Sequence, residues 1–144
     1  MSQDTFVFKQ FTIQQDKCAM KVGTDAVILG AWVNTKEANQ ILDIGTGTAI
    51  LSLMLAQKST ANIDALEIDK ASFEQAVENV QFSKWVNQIN VIHTSFQDYY
   101  SEQEKKYDLI ISNPPYFIDS LKAKEDARTN ARHNTLLPFE ELIK

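Results

Sequence analysis

Gln40-Ile41-Leu42-Asp43-Ile44-Gly45-Thr46-Gly47-Thr48 is the stretch from which the rest of the chain can be read. A short apolar strand, Gln40–Ile44, runs into two glycines. Ala49–Lys58 then continues as a helix, with Ile50, Leu53 and Met54 at helical spacing. Glycines at a strand-to-helix junction let the backbone turn tightly and come close to a ligand. The dinucleotide fingerprint G-x-G-x-x-G asks for a third glycine, and Ile50 stands in its place, which argues against a pyrophosphate. Asp43 would repel a phosphate, but it can accept hydrogen bonds from an ammonium group. The junction therefore points to a cofactor with an amino-acid end, such as S-adenosylmethionine. Glu67 follows Gly47 by 20 residues, near the end of a second strand, Asn62–Ile68. A carboxylate there can accept both hydroxyls of a ribose.

Outward from that junction the chain alternates strand and helix. Asp69 is placed to cap a helix whose Phe73, Ala76, Val77 and Val80 form one apolar stripe. Ile89–His93 is a third strand and Tyr107–Ser112 a fourth. Such alternation predicts an α/β fold with parallel strands and right-handed crossovers. Towards the N-terminus, residues 6–22 alternate apolar and polar, with Gln14-Gln15-Asp16 as an interruption, and predict a hairpin or two short strands. Thr24 or Asp25 is expected to cap a short helix ending at Trp32. Beyond the fourth strand, Asp119–Thr135 is polar, and Pro138 can begin a last helix with Phe139, Leu142 and Ile143 on its buried side. The sequence stops at Lys144 inside that helix, with no glycine cap and no later strand to cover the fourth one. The expectation is the N-terminal part of a longer protein.

The chain has 144 residues, 44% of them hydrophobic, enough for a real core. No apolar run approaches the length needed to span a bilayer, and the first residues lack a signal peptide's apolar stretch. A single cysteine, Cys18, rules out an internal disulfide framework and suits a reducing cytoplasm. Cys18, His93 and His133 are scattered, so no zinc cluster is expected. The net charge of −5 argues against a protein that coats nucleic acid electrostatically. Its distribution is uneven: residues 25–116 carry −6, residues 1–24 carry +1 and residues 117–144 are neutral. His93 ends a strand and reads as a structural histidine, Trp32 and Trp85 as core or helix-packing groups, and Cys18 as unreactive for want of a basic partner.

A second constellation, Asn113-Pro114-Pro115-Tyr116, follows the fourth strand directly. Two prolines stiffen the turn and remove two backbone donors, leaving acceptors: the Asn113 side-chain oxygen and the Pro114 carbonyl. Two fixed acceptors suit a planar amino group, whose lone pair they would aim at an electrophile. Tyr116 offers a flat face for a base swung out of its stack.

Together, Asp43–Thr48, Glu67 and Asn113–Tyr116 resemble the class I S-adenosylmethionine-dependent methyltransferases that act on amino groups. Phe8-Lys9-Gln10-Phe11, Met20-Lys21-Val22-Gly23-Thr24-Asp25-Ala26-Val27 and Leu29-Gly30-Ala31-Trp32 narrow the likeness. They resemble the bacterial tRNA adenine-N6 methyltransferases that modify adenine 37 of valine tRNA. Ala131-Arg132-His133 and the Leu136–Ile143 segment fit the same family. The resemblance implies a Rossmann-like fold with its four main strands in the order 3-2-1-4 and helices on both faces. Residues 1–34 would be an N-terminal hairpin and helix, and residues 35–144 a methyltransferase domain lacking its last strands.

The resemblance also implies roles. Asp43, Gly45 and Gly47 would line the methionine end of S-adenosylmethionine, with Thr46 and Thr48 adding backbone or hydroxyl contacts. Glu67 would hold the ribose and Ile68 would pack on the adenine. Many relatives place an acid after the third strand to bind the adenine amino group. Ser95 stands there, followed by Phe96 and then Asp98, so that contact falls to one of these three. Asn113, Pro114, Pro115 and Tyr116 would be the catalytic turn, with Asn113 between cofactor and target amino group. Read from the residues alone, Lys122, Lys124, Arg128 and Arg132, with His133, are either a solvated loop or a lid that meets the tRNA backbone, with Lys9, Lys17 and Lys21 of the hairpin as the opposite wall. No metal, membrane or obligate protein partner is implied, and a monomer is expected at full length. The same turn also serves methyltransferases acting on rRNA guanine N2 or on a protein glutamine amide. A further alternative is a cofactor-binding fragment without turnover.

Overall fold

Gln40–Ile44 forms an interior strand because its apolar side chains are needed on both faces at once. The computed structural model describes residues 4–114. The hairpin pairs β1 (Thr5–Val7) antiparallel with β2 (Thr12–Gln14). Helix α1 (Thr24–Trp32) follows, then β3 (Gln40–Ile44), α2 (Ile50–Lys58), β4 (Asn62–Glu67), α3 (Lys70–Gln81), β5 (Ile89–His93), α4 (Phe96–Glu102) and β6 (Leu109–Ser112). The sheet has the order β5-β4-β3-β6, all pairs parallel, which is the expected 3-2-1-4 arrangement of the main strands. The register Ile44↔Leu66 and Ile44↔Ser112 sets the C-terminal ends of three strands side by side.

The two faces are unequal. Ile41, Ile63, Ala65, Ile89 and Ile111 belong to the main core, which takes in Leu53 and Leu55 of α2, Ala76 and Val80 of α3 and Phe11 and Ile13 of the hairpin. Each fully buried Leu or Ile there contributes about 1.5–3 kcal/mol. The other face is a small cluster of Leu42, Ile44 and Leu66 under Phe96 and Tyr99 of α4. Among the described residues, β6 pairs only with β3, and its Ile110 is 51% exposed.

Several boundaries differ from the sequence-based expectation. Cys18 and Val22 do not continue the hairpin strands. Side-chain amides take the backbone donors a strand would have paired: Lys17 N–H donates to Gln75 Oε1 and Val22 N–H to Gln15 Oε1, both at 2.8 Å. Helix α1 is capped by extended Gly23, with no side-chain cap from Thr24 or Asp25. The strand at Asn62 stops at Glu67, and the one expected from Tyr107 starts at Leu109. Here the Asp108 carboxylate accepts the Asn39 and Gln40 N–H groups at 2.8 and 2.9 Å, clamping the β3–β6 register from outside the ladder. Helix α4 was not anticipated; its seven residues are too few for a periodic signal. Trp32 is 80% exposed, contrary to the expected packing role, whereas Trp85 meets Phe11 edge-on at 5.9 Å at the rim of the core. The polar stretch from Asp119 and the helix from Pro138 lie outside the described residues.

Candidate active site

The β3–α2 junction is built from alternating left-handed residues: Gly45 at φ 71°, Gly47 at φ 58° and Ala49 at φ 72°. The two glycines meet this requirement without strain. A Cβ on either would meet nothing within 4 Å, so they leave open space alongside the backbone. Ala49 is fully buried and pays for its conformation, at a typical cost of about 1–3 kcal/mol. It also moves the start of α2 from the expected Ala49 to Ile50. The loop is tied across the sheet, because Thr46 N–H donates to the Leu66 carbonyl at 2.8 Å.

Asp43, the last polar residue of β3, is 0% exposed. Its Oδ2 accepts the hydroxyls of Thr46 and Ser52, both at 2.7 Å, while Oδ1 has no partner among the described residues. Burial raises its pKa, and the hydrogen bonds from Thr46 and Ser52 pull it back only in part. Thr46 thus spends its hydroxyl on Asp43, and the Thr48 carbonyl is taken by Asn79 at 2.9 Å.

Glu67 ends β4 with its carboxylate turned onto backbone. Oε1 accepts Gly47 N–H at 2.8 Å and Oε2 accepts Asp69 N–H at 3.0 Å. Each oxygen keeps a lone pair for a hydroxyl donor. Burial raises its pKa as well, against the two backbone bonds and with the nearby charges of Asp69 and Asp43. Asp69 caps α3 as expected, accepting Ser72 N–H at 2.9 Å.

Ile68 is half-buried, and its carbonyl accepts His93 Nε2 at 2.9 Å. His93 also stacks on Phe73 at 5.0 Å, the structural role expected of it. Ser95 caps α4 by accepting Asp98 N–H at 3.0 Å, Phe96 packs into the smaller core cluster, and Asp98 is exposed. The structure does not choose among the three for the adenine contact.

Asn113 and Pro114 are half-buried directly after β6. Ser112 pairs with Ile44 and donates its hydroxyl to the Ile44 carbonyl at 3.1 Å, so Asn113 begins beside the glycine loop. Pro115 and Tyr116 lie outside the described residues, as do Lys122, Lys124, Arg128, Arg132 and His133. Of the N-terminal lysines, Lys9 is exposed. Lys17 pairs with Glu78 at 3.0 Å, and Lys21 is held by the Gln15 carbonyl at 2.5 Å and Asp4 at 3.7 Å. Burial pushes the Cys18 thiol up to about 11, against a hydrogen bond to Ser72, which fits an unreactive cysteine.

Sequence reasoning missed Ser52, the second hydroxyl on Asp43, and the buried polar stripe Ser72, Gln75 and Asn79 on α3. The stripe's helical spacing beside the apolar one was the available signal. No group of three metal-ligating side chains occurs among the described residues.

A fold of this order, with a glycine loop and carboxylates at the C-terminal ends of β3 and β4, defines a class. A family model described as the methyltransferase small domain matches residues 18–134, and the chain belongs to that family. Over all 144 residues it is 51% identical to a Parabacteroides distasonis protein named tRNA1(Val) (adenine(37)-N6)-methyltransferase. It is 54% identical over 146 aligned positions to the Bacteroides thetaiotaomicron protein of the same name. All of this chain is covered in both matches, and it spans 61% of each relative's length. Among solved structures, a Pyrococcus horikoshii transferase superposes with a TM-score of 0.65 at 22% identity, over 83% of this chain and 45% of that one, which shows the fold.

Proposed function

We propose that this chain transfers a methyl group from S-adenosylmethionine to N6 of adenine 37 in valine tRNA, in the cytoplasm. The observation that carries the reading is the pairing Ile44↔Ser112, which starts the glycine loop and the Asn113 turn side by side on adjacent parallel strands. The names of the relatives support the choice of substrate. In this reading residues 1–34 lead into a methyltransferase domain that begins at residue 35.

The described residues fit the cofactor. Open space flanks Gly45 and Gly47, and the buried Asp43 Oδ1 is an acceptor awaiting a donor such as an ammonium group. The lone pairs left on Glu67 suit the two hydroxyls of a ribose. When bound, S-adenosylmethionine supplies a methyl group on a positively charged sulfur. The chain's own part is alignment. The Asn113 side-chain oxygen and the Pro114 carbonyl accept the two hydrogens of the target amino group and direct its lone pair. The nitrogen can lose its proton after transfer, so no side-chain base is required. Tyr116 would stack on the flipped adenine.

The test is to incubate the chain with isotopically labelled S-adenosylmethionine and an unmodified valine tRNA transcript, then analyse the digested nucleosides by mass spectrometry. Label in N6-methyladenosine mapped to position 37 is expected. Label on guanine N2, or cofactor binding without any transfer to tRNA, overturns the reading.

A further inference from the structure

Asn79 of α3 is 2% exposed, and every polar atom of its side chain is engaged. Its Oδ1 accepts the Gln14 N–H at 2.8 Å. Its Nδ2 donates to the Gln14 carbonyl and to the Thr48 carbonyl, both at 2.9 Å. One amide therefore joins three segments far apart in sequence: the end of the hairpin, the last turn of α3 and the glycine loop. The Thr48 carbonyl is the peptide oxygen immediately before Ala49, the non-glycine residue held at φ 72°. Anchoring that oxygen fixes the peptide plane entering Ala49. The remaining ties close the turn: Ala49 N–H donates to the Thr46 carbonyl, and Leu53 N–H to the Ala49 carbonyl, both at 2.9 Å. A strained residue persists only where its surroundings over-determine it. Leu66 and Glu67 of β4 hold the loop earlier, at Thr46 and Gly47, and Asn79 holds it at the peptide that enters Ala49.

We propose that Asn79 is a positioning residue that couples the N-terminal hairpin to the glycine loop, holding Ala49 left-handed so that the loop keeps its binding shape. The inference deepens the proposed function and rests on the loop being the cofactor cradle. It makes a specific demand: glycine at position 49 removes the strain, so it must relieve the need for Asn79.

The probe is S-adenosylhomocysteine, titrated calorimetrically into the full chain. Asn79→Ala is expected to weaken binding about tenfold or more, roughly 1.4 kcal/mol per decade. Adding Ala49→Gly to Asn79→Ala is expected to recover most of the loss. A merely structural Asn79 would lower thermal stability without this rescue at a neighbouring backbone position. Binding within twofold of the unsubstituted chain for Asn79→Ala, or a double variant as weak as the single one, overturns the proposal. Should Asn79→Ala not fold, Asn79→Asp takes its place. It keeps the acceptor for Gln14 N–H and loses the donor to Thr48. Hydrogen exchange at Gly47 N–H, bonded to Glu67, reads the loop without any cofactor. Its protection should fall in Asn79→Ala and return in the double variant. If the unsubstituted chain does not bind S-adenosylhomocysteine, the proposed function fails, and this exchange measurement alone decides the role of Asn79.

Discussion

The carboxylates on the two ends of the sheet are treated in opposite ways. At the loop end, Asp43 and Glu67 are buried beside hydroxyls and backbone N–H groups, with no cation paired to either among the described residues, and their pKa values are raised. Towards the other end, Asp64 of the same β4 is also buried, yet its Oδ2 accepts Lys105 Nζ at 2.7 Å and Tyr107 Oη at 2.6 Å. Burial works against its charge, but Lys105 and Tyr107 outweigh that, and its pKa is lowered. Asp108 is held low by the Asn39 and Gln40 N–H groups. The difference teaches where the fold stores cost and where it spends stability. Among the described residues, the loop end keeps one acceptor without a partner, Asp43 Oδ1, and the remaining lone pairs of Glu67, which suit a cationic, hydroxyl-rich ligand. The opposite end is neutralised within the chain and pins the strands.

The comparison predicts that loop-end substitutions change function with little loss of stability. The largest effect is expected for Asn113→Ala, which should lower methyl transfer about 10²–10³-fold while S-adenosylhomocysteine affinity stays within about threefold. An equal loss of both would place Asn113 in the cofactor site rather than on the target amino group. At the opposite end, Lys105→Met leaves the buried Asp64 carboxylate without its cation. It should cost about 1–3 kcal/mol by urea denaturation, with cofactor affinity unchanged. A changed affinity would break the division between the two ends. Asp43→Asn should weaken cofactor binding about tenfold. Because a neutral amide can still accept from Thr46 and Ser52, the melting temperature of the ligand-free chain at neutral pH should hold or rise.

The smallest effect is in the pH profile, where the two ends have opposite signs. A carboxylate with a raised folded pKa stabilises fully below its unfolded value, about pH 4, and loses that contribution as pH rises through the folded value. Asp43 and Glu67 should therefore make the ligand-free chain gain stability on mild acidification. Asp64, with a lowered pKa, contributes stability above its unfolded value and loses it as pH falls through the folded one. Denaturation at a series of pH values should show both limbs. Asp43→Asn should flatten the upper limb and leave the lower one.

Much of this layout was legible in the chain. The strand at Gln40–Ile44, the cap at Asp69 and the parallel pairing follow from local apolar pattern and turn chemistry, which the tertiary structure did not override, and the strand order from the family resemblance. Local pattern misled where long-range partners took over. Trp32 looked like core by residue type, but the described fold brings nothing over it. Cys18 and Val22 looked like strand, yet side chains from distant or nearby glutamines took the neighbouring backbone donors.

The sequence by itself determined the order of the main strands and helices other than α4, the glycine loop with its two carboxylates, the Asn113 turn and the resemblance to amino-group methyltransferases. These depend on residue type and short spacing. Only the tertiary structure decided that Glu67 grips Gly47, that Asp43 keeps one oxygen without a partner among the described residues, and that Asn79 ties hairpin to loop. Hydrogen bonds between residues 20 to 65 positions apart depend on register and burial, which no local pattern encodes.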